Sequence, residues 1–194
     1  MILCAGEALI DMLPRESAAG EQAFSPYPGG AVFNTAIALG RLGAPVGIFS
    51  GISTDLFGDI LTRTLEASNV DAGFAARSDR PTTLAFVTLT DGHASYAFYD
   101  ENTAGRMLSE ADLPVLGDDV QAVFFGGISL VVEPCAATYE ALMKREAGKR
   151  VTMIDPNIRA GFIKNEAAYR QRIGRMLQLA DIVKLSDEDL TWLA

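Results

Sequence analysis

The chain has 194 residues, of which 49% are hydrophobic and 21% are charged. This composition excludes a disordered chain and is typical of one α/β domain with a sizeable core. The net charge of −9 argues against nucleic acid and anionic membranes as partners. The chain shows no signal peptide and no apolar stretch of membrane-spanning length, so we expect a cytoplasmic protein. Cys4 and Cys135 fit no metal or redox spacing.

The first third of the chain alternates between apolar strands and helices. Residues 2–10 predict one buried strand, and Glu7 and Asp11 lie at its carboxyl end, where open α/β sheets bind ligands. Residues 14–28 are rich in proline and glycine and predict an excursion from the sheet. A helix over 31–42, a strand over 46–50 and a helix from the N-cap Asp55 to about residue 68 are predicted next.

Two glycines, Gly29 and Gly30, stand directly before the first helix. Glycine lets the backbone approach a bound molecule closely, and the first amides of a helix lack internal partners. Asn34, one turn into the helix, offers a donor and an acceptor that suit a hydroxyl. A loop glycine pair followed by a core helix explains the same nine residues equally well, so both interpretations stay open at this point.

Residues 82–90 and 94–99 predict a β-hairpin with Asp91-Gly92 as its turn. Its side chains alternate, so that Phe86 points to one side and Val87 to the other. Both sides carry apolar residues, which predicts that the hairpin is covered on both faces. His93, the only histidine, lies beside the turn and is given no role.

From residue 120 onwards strands and helices alternate regularly. Strands are predicted over 123–125, 151–154 and 182–185, and helices over 134–147, over 165–179 and from 186 onwards. Such alternation predicts a parallel sheet covered by helices on both faces, and the two earlier excursions predict a small separate β layer. The sequence contains no Walker loop, no dinucleotide fingerprint after its first strand and no serine-hydrolase elbow.

Four features at or after predicted strand ends together resemble the ribokinase-like (PfkB-type) carbohydrate kinases, in their fructokinase and 2-keto-3-deoxygluconate kinase branches. They are Asp11, the Gly-Gly-x-x-x-Asn turn at 29–34, Asp-Pro-Asn-Ile-Arg at 155–159 and Lys-Leu-Ser-Asp-Glu-Asp at 184–189. The resemblance implies an α/β fold with a parallel sheet between helices and a small β-sheet lid. Residues 1–194 would form the N-terminal two-thirds of that domain, with lid segments near 12–28 and 82–100.

The resemblance also implies an ATP- and Mg²⁺-dependent kinase that phosphorylates a sugar hydroxyl. The residues that would bind the sugar are Asp11, Gly29, Gly30, Asn34, Tyr96, Phe98, Arg106 and Arg159. Arg159 would also stabilise phosphate charge with its planar guanidinium. Lys184, Ser186 and Asp189 would lie near the nucleotide phosphates, although the family has asparagine and glutamate where this chain has Ser186 and Asp189. The family's Gly-Ala-Gly-Asp stretch is missing, so the catalytic base and the rest of the nucleotide site are expected beyond residue 194.

The substrate is predicted from Asp100 and Glu101. Related kinases that act on acidic sugars tend to carry arginine near these positions, whereas two carboxylates would repel an acidic sugar. We therefore expect a neutral sugar, fructose, while the nearby Arg106 leaves 2-keto-3-deoxygluconate and other sugars or nucleosides as alternatives. A catalytically incomplete sugar-binding fragment is the alternative from another class. Because a lone hairpin is marginal in water, a homodimer joined through the lid is also predicted.

Overall fold

The structure is a computed structural model. It describes residues 1–90 and 93–194, without the side chains of residues 89–90 and 93–95. The predicted turn at Asp91-Gly92 and the side chain of His93 therefore lie outside the described residues. The helices are α1 (Ala31–Arg41), α2 (Leu56–Ala67), α3 (Cys135–Glu146), α4 (Glu166–Leu179) and α5 (Asp187–Leu193). None of the helices in this part of the chain combines the length and apolar character needed to cross a bilayer.

The main sheet has six strands in the order β12-β11-β10-β1-β4-β6, and all its pairings are parallel. These strands are β1 (Ile2–Ala5), β4 (Val46–Phe49), β6 (Val70–Asp71), β10 (Ala122–Gly126), β11 (Val151–Asp155) and β12 (Ile182–Val183). A second pairing joins β5 (Gly51–Ser53) to β7 (Ala76–Ser78) in a two-stranded sheet. The prediction of a parallel sheet with intervening helices is confirmed.

The core has two layers because successive side chains of a strand point to opposite faces of the sheet. Leu3 packs into the cluster that contains Tyr139 of α3, whereas Cys4 packs into the cluster that contains Phe33 of α1. Burial raises the pKa of the Cys4 thiol to about 12, and that of Cys135 is raised to about 12 by burial first, with nearby carboxylates adding to it. Both cysteines are therefore inert core residues, as expected.

The predicted helices follow their sequence signals. Helix α1 buries the apolar stripe of Phe33, Ala36 and Ile37 that its 3.6-residue spacing indicates. Helix α2 begins at its predicted N-cap, where the carboxylate of Asp55 accepts hydrogen bonds from the amides of Phe57 and Gly58 at 3.0 and 2.8 Å.

A separate four-stranded sheet, here called the lid sheet, has the order β3-β2-β8-β9. Its strands are β2 (Leu9–Glu16), β3 (Gln22–Gly29), β8 (Leu84–Thr90) and β9 (His93–Tyr99). The register aligns Asp11 of β2 with Tyr27 of β3 and Ala85 of β8, and Ala85 with Phe98 of β9. Directly paired residues share a face, so these four side chains form one row across the lid sheet.

One prediction in the first 30 residues was wrong. The predicted single strand over 2–10 is two strands in different sheets, because the chain turns between Ala5 and Leu9. Periodicity does not reveal this break, since a buried turn is as apolar as a buried strand. The predicted excursion over 14–28 does leave the main sheet, and it forms the regular β2–β3 hairpin of the lid sheet, which tolerates Pro26 and Pro28 because β3 is an edge strand.

Candidate active site

The carboxyl ends of the main-sheet strands face the lid sheet across a cleft. On one side of it, Phe98 of the lid contacts Phe162, just beyond β11, with ring centroids 4.6 Å apart and edge to face. Next to this contact lies a cavity of about 770 Å³, which Phe98, Arg106 and Phe162 help to line. Tyr96 is largely exposed and its ring lies 6.2 Å from that of Phe98. Four of the other predicted sugar residues do not line this cavity: Gly29, Gly30 and Asn34 lie at or near the start of α1, and Asp11 lies on β2 beside Gly29.

Asp11 lies directly against Gly29. A Cβ atom built on Gly29 would be only 2.1 Å from Asp11 Oδ2, so the carboxylate occupies the space that a side chain would need. Partial burial raises the pKa of Asp11. Within the described residues its carboxylate has no hydrogen-bond or ion-pair partner. The oxygens of Asp11 are therefore free to accept hydrogen bonds from a ligand.

The start of α1 differs from the expectation. The amides of Ala31 and Val32 were expected to be open to a ligand, but they donate to Glu7 Oε1 at 2.7 and 3.3 Å. Gly30, the N-cap, has no side chain to take that role. Asn34 is exposed, and its side chain has no partner in the described part of the chain. The side chains of Asp11 and Asn34, rather than the helix amides, are thus available to a ligand here.

Arg106 is held by neighbouring groups. Its guanidinium forms an ion pair with Asp100 at 3.0 Å and donates to the Glu133 carbonyl at 3.1 Å. The positive charge of Arg106 is therefore neutralised within the protein, while Glu101 remains exposed beside it. This arrangement favours a ligand without a carboxylate.

The carboxyl ends of β11 and β12 bring the two later motifs together. Lys184 Nζ lies 2.8 Å from Asp155 Oδ2, and the lysine side chain is half exposed. Arg159 is exposed, and its described side-chain hydrogen bond goes only to the carbonyl of Ile158 at 3.1 Å. Both cations remain accessible to an anionic ligand.

Ser186 and Asp189 have structural contacts instead. Ser186 caps α5 by accepting from the Asp189 amide at 3.0 Å, and Asp189 Oδ2 accepts from the Ser186 amide at 3.1 Å, which forms a capping box. Asp189 Oδ1 accepts from the Ile158 amide at 2.7 Å. Asp189 is 2% exposed, and through the bond to Ile158 it connects the 155–159 stretch to α5. Its predicted role near the nucleotide stays a prediction.

Two contributors were missed in the sequence. The capping role of Glu7 was not predicted, because its partners are 24 and 122 residues away. Phe162, which contacts Phe98, follows the Asp-Pro-Asn-Ile-Arg stretch by three residues and was readable only as an aromatic after a motif. The described residues form no group of three or more metal-ligating side chains.

The chain is similar to known carbohydrate kinases. The profile of the pfkB family of carbohydrate kinases matches residues 1–194. A fructokinase of Rhizobium leguminosarum bv. trifolii is 62% identical over 192 residues, which are 99% of this chain and 59% of that protein. The chain therefore spans about three fifths of that relative's length.

Solved structures share the fold. A fructokinase from Xylella fastidiosa with bound ATP has a TM-score of 0.90 at 32% identity, covering 100% of this chain and 63% of that one. A fructokinase double mutant from Vibrio cholerae O395, in its fructose-, ADP- and potassium-bound form, has a TM-score of 0.85 at 25% identity, covering 99% and 61%. The ribokinase-like fold class, with its separate small sheet, is confirmed.

Proposed function

The chain belongs to the pfkB family of carbohydrate kinases, and we propose that it acts in the ATP-dependent phosphorylation of a small neutral sugar, fructose. One observation supports this proposal above the others: Asp11 is a partly buried carboxylate whose acceptors are unused in the described residues. Sugar hydroxyls are the donors that such a carboxylate binds. The 62% identity to a fructokinase points to the same substrate.

In this proposal the residues of the chain act in two groups. Asp11 and Asn34 bind and orient the sugar over Gly29 and Gly30. Phe98 lies in the same row of the lid sheet as Asp11, so the lid face that both residues share would cover the sugar and exclude water. The sugar oxygen attacks the γ-phosphorus of ATP, the bond from that phosphorus to the β–γ bridging oxygen breaks, and ADP leaves. The hydroxyl proton passes to a base, which the family resemblance places beyond residue 194.

The second group consists of the cations that would bind the phosphates. Lys184 and Arg159 are the exposed cations beyond the carboxyl ends of β12 and β11, and they would neutralise charge on the phosphates of ATP. Mg²⁺ is expected to arrive as part of the MgATP substrate, because it keeps several waters and is held chiefly by phosphate oxygens with only one or two carboxylates.

The sugar is proposed to be neutral because Asp100 already neutralises Arg106, and Glu101 adds an unpaired negative charge nearby. 2-Keto-3-deoxygluconate carries a carboxylate that would meet this charge without a free arginine. A ketohexose such as fructose has no such conflict.

A phosphorylation panel tests the proposal. The protein expressed from its intact gene is incubated with MgATP and fructose, glucose, ribose or 2-keto-3-deoxygluconate, and sugar phosphates are identified by mass spectrometry. Fructose phosphate as the main product is the expected result. Preference for 2-keto-3-deoxygluconate would overturn the neutral substrate. Saturable fructose binding without transfer would favour the sugar-binding fragment, and no product and no binding would contradict both.

We further propose a homodimer joined through the lid sheet. On the face opposite Asp11, Phe86 contacts Phe24 and Tyr99 with ring centroids 5.0 and 5.4 Å apart. Tyr99 is 63% exposed, and an exposed aromatic patch of this kind suits a protein partner. Val87 is buried on the Asp11 face, and the side chain of Leu89 is outside the described residues.

The dimer is tested with two tyrosines of the same strand. Tyr99 and Tyr96 are 63% and 52% exposed but project to opposite faces of the lid sheet. Tyr99→Asp should dissociate the dimer in sedimentation, whereas Tyr96→Asp should leave the dimer intact. A monomeric unmodified protein at micromolar concentration would rule the dimer out.

A further inference from the structure

Helix α1 lacks a cap of its own. Its N-cap is Gly30, which makes no side-chain cap, and its first turn contains no acidic residue. Glu7 supplies both functions from 24 residues earlier in the chain. In addition to the bonds from Ala31 and Val32 to its Oε1, its main-chain carbonyl accepts from the Phe33 amide at 3.2 Å. The positive end of the helix dipole favours the carboxylate form of Glu7.

The second carboxylate oxygen of Glu7 holds a different element. Glu7 Oε2 accepts from the Ser129 amide at 3.3 Å, and the Ser129 hydroxyl donates to the carbonyl of Gly126 at 2.9 Å. Gly127 has φ 75°, and a Cβ atom there would lie 2.2 Å from Glu7 Oε1. The turn after β10 is thus shaped around this carboxylate.

Glu7 is a destabilising residue type for a purely structural position. It is 9% exposed and has no ion-pair partner among the described residues, and burial raises its pKa despite the amides that it accepts from. A buried carboxylate without a cation costs stability that an apolar residue would not cost. Residues that depart from an apolar core in this way are concentrated at functional sites.

The position of Glu7 explains what the charge does. Gly30 packs on Glu7, since a Cβ atom on Gly30 would lie 2.9 Å from the Glu7 carbonyl oxygen. Gly30 joins Gly29, which Asp11 contacts, to the helix that carries Asn34. The carboxylate therefore holds the start of α1, which leads into Asn34, against the chain just after β1 and against the turn after β10.

We propose that Glu7 is a positioning residue for sugar binding, which holds the start of α1 so that Asp11 and Asn34 meet the same sugar. It does not touch the sugar itself. This inference rests on the proposed function, because it assigns Glu7 to the sugar site of that reaction.

The substitution Glu7→Gln tests the proposal. Glutamine keeps the size of the side chain but has one acceptor oxygen, so either the α1 amides or the Ser129 amide loses its partner. The matched control is Glu140→Gln on α3, another buried glutamate, which forms ion pairs with Arg175 and Lys144 at 2.7 Å each. Both variants lose stability, but only Glu7→Gln should disturb the sugar site.

Fructose affinity is measured by calorimetry at a temperature at which all variants are folded. We expect Glu7→Gln to weaken binding about tenfold, the size of one lost buried hydrogen bond. Glu140→Gln should stay within about twofold of the unmodified protein. Hydrogen exchange at Ala31, Val32 and Ser129 should accelerate in Glu7→Gln and not in Glu140→Gln.

The outcomes separate the two proposals. Unchanged fructose affinity in Glu7→Gln, or an equal loss in Glu140→Gln, overturns the positioning role and leaves the sugar site standing. Absence of sugar binding by the unmodified protein overturns both. If Glu7→Gln does not fold, Glu7→Asp replaces it, since the shorter side chain keeps the charge but cannot reach both elements, and the same weakening is expected.

Discussion

Two aspartates that belong to different elements have opposite environments. Asp11, on β2 of the lid sheet, is partly buried and has no partner in the described residues, and burial raises its pKa. Asp189, on α5, is 2% exposed and accepts from the amides of Ile158 and Ser186. An acidic residue near a cleft is therefore a candidate ligand only if its oxygens have no hydrogen-bond donor within the protein. Asp189, whose oxygens are occupied, has a structural role.

The largest effect is expected from Asp189→Ala. The substitution leaves the buried amide of Ile158 and the partly buried amide of Ser186 without acceptors, and it should lower the free energy of unfolding by about 3 kcal/mol. Thermal or urea unfolding measures this loss. Fructose affinity should stay nearly constant, and a variant with full stability would show that Asp189 does not have this structural role.

Gly29→Ala disturbs the free carboxylate of Asp11. The new methyl group would lie 2.1 Å from Asp11 Oδ2, and the carboxylate, as the mobile end of a side chain, would have to rotate away. We expect fructose binding to weaken by about 2 kcal/mol with less than about 1 kcal/mol change in stability. Gly174→Ala in α4 is the control, because its added Cβ meets nothing within 4 Å and should leave fructose binding unchanged.

A smaller effect is expected from the pH dependence of the stability that Asp189 contributes. Burial alone would raise the pKa of Asp189, but the Ser186 and Ile158 amides and the charge of Lys184 lower it below its ordinary value. Its stabilisation is therefore complete above the pKa of an unfolded aspartate and is lost as pH falls through the lower folded pKa. Unfolding curves below pH 4 should show a steeper loss for the unmodified protein than for Asp189→Ala. Parallel pH profiles would contradict this.

The smallest effect on stability is expected from Lys184→Met. Its ion pair with Asp155 is half exposed on the lysine side, and such pairs contribute less than about 1 kcal/mol. ATP affinity, by contrast, should fall, since one of the two accessible cations is removed. Equal ATP affinity in a titration would remove Lys184 from the proposed phosphate site.

The sequence allowed much of this architecture to be predicted because its signals are local. The cap at Asp55, the stripe of α1 and the alternation of β8 all depend on neighbours within a few residues. The capping box from Ser186 to Asp189 is an equally local signal, but the family resemblance implied a role near the nucleotide for the same two residues. Asp11 was predicted at the carboxyl end of the first strand, but it is the third residue of β2 and belongs to the lid sheet.

The rest depended on long-range contacts that no local pattern encodes. Glu7 reaches Ser129 across 122 residues, and Asp189 reaches Ile158 across 31. Whether an acidic side chain is satisfied is decided by such contacts, so composition and spacing could not separate the free Asp11 from the occupied Glu7 and Asp189.

The central claim is that the free carboxylate of Asp11 binds the sugar, and a calorimetric titration of fructose into the unmodified protein and Asp11→Ala tests it most directly. The account predicts saturable binding that weakens by about 1–3 kcal/mol in the variant, with an unchanged melting temperature. Identical fructose affinity in the two proteins would contradict it.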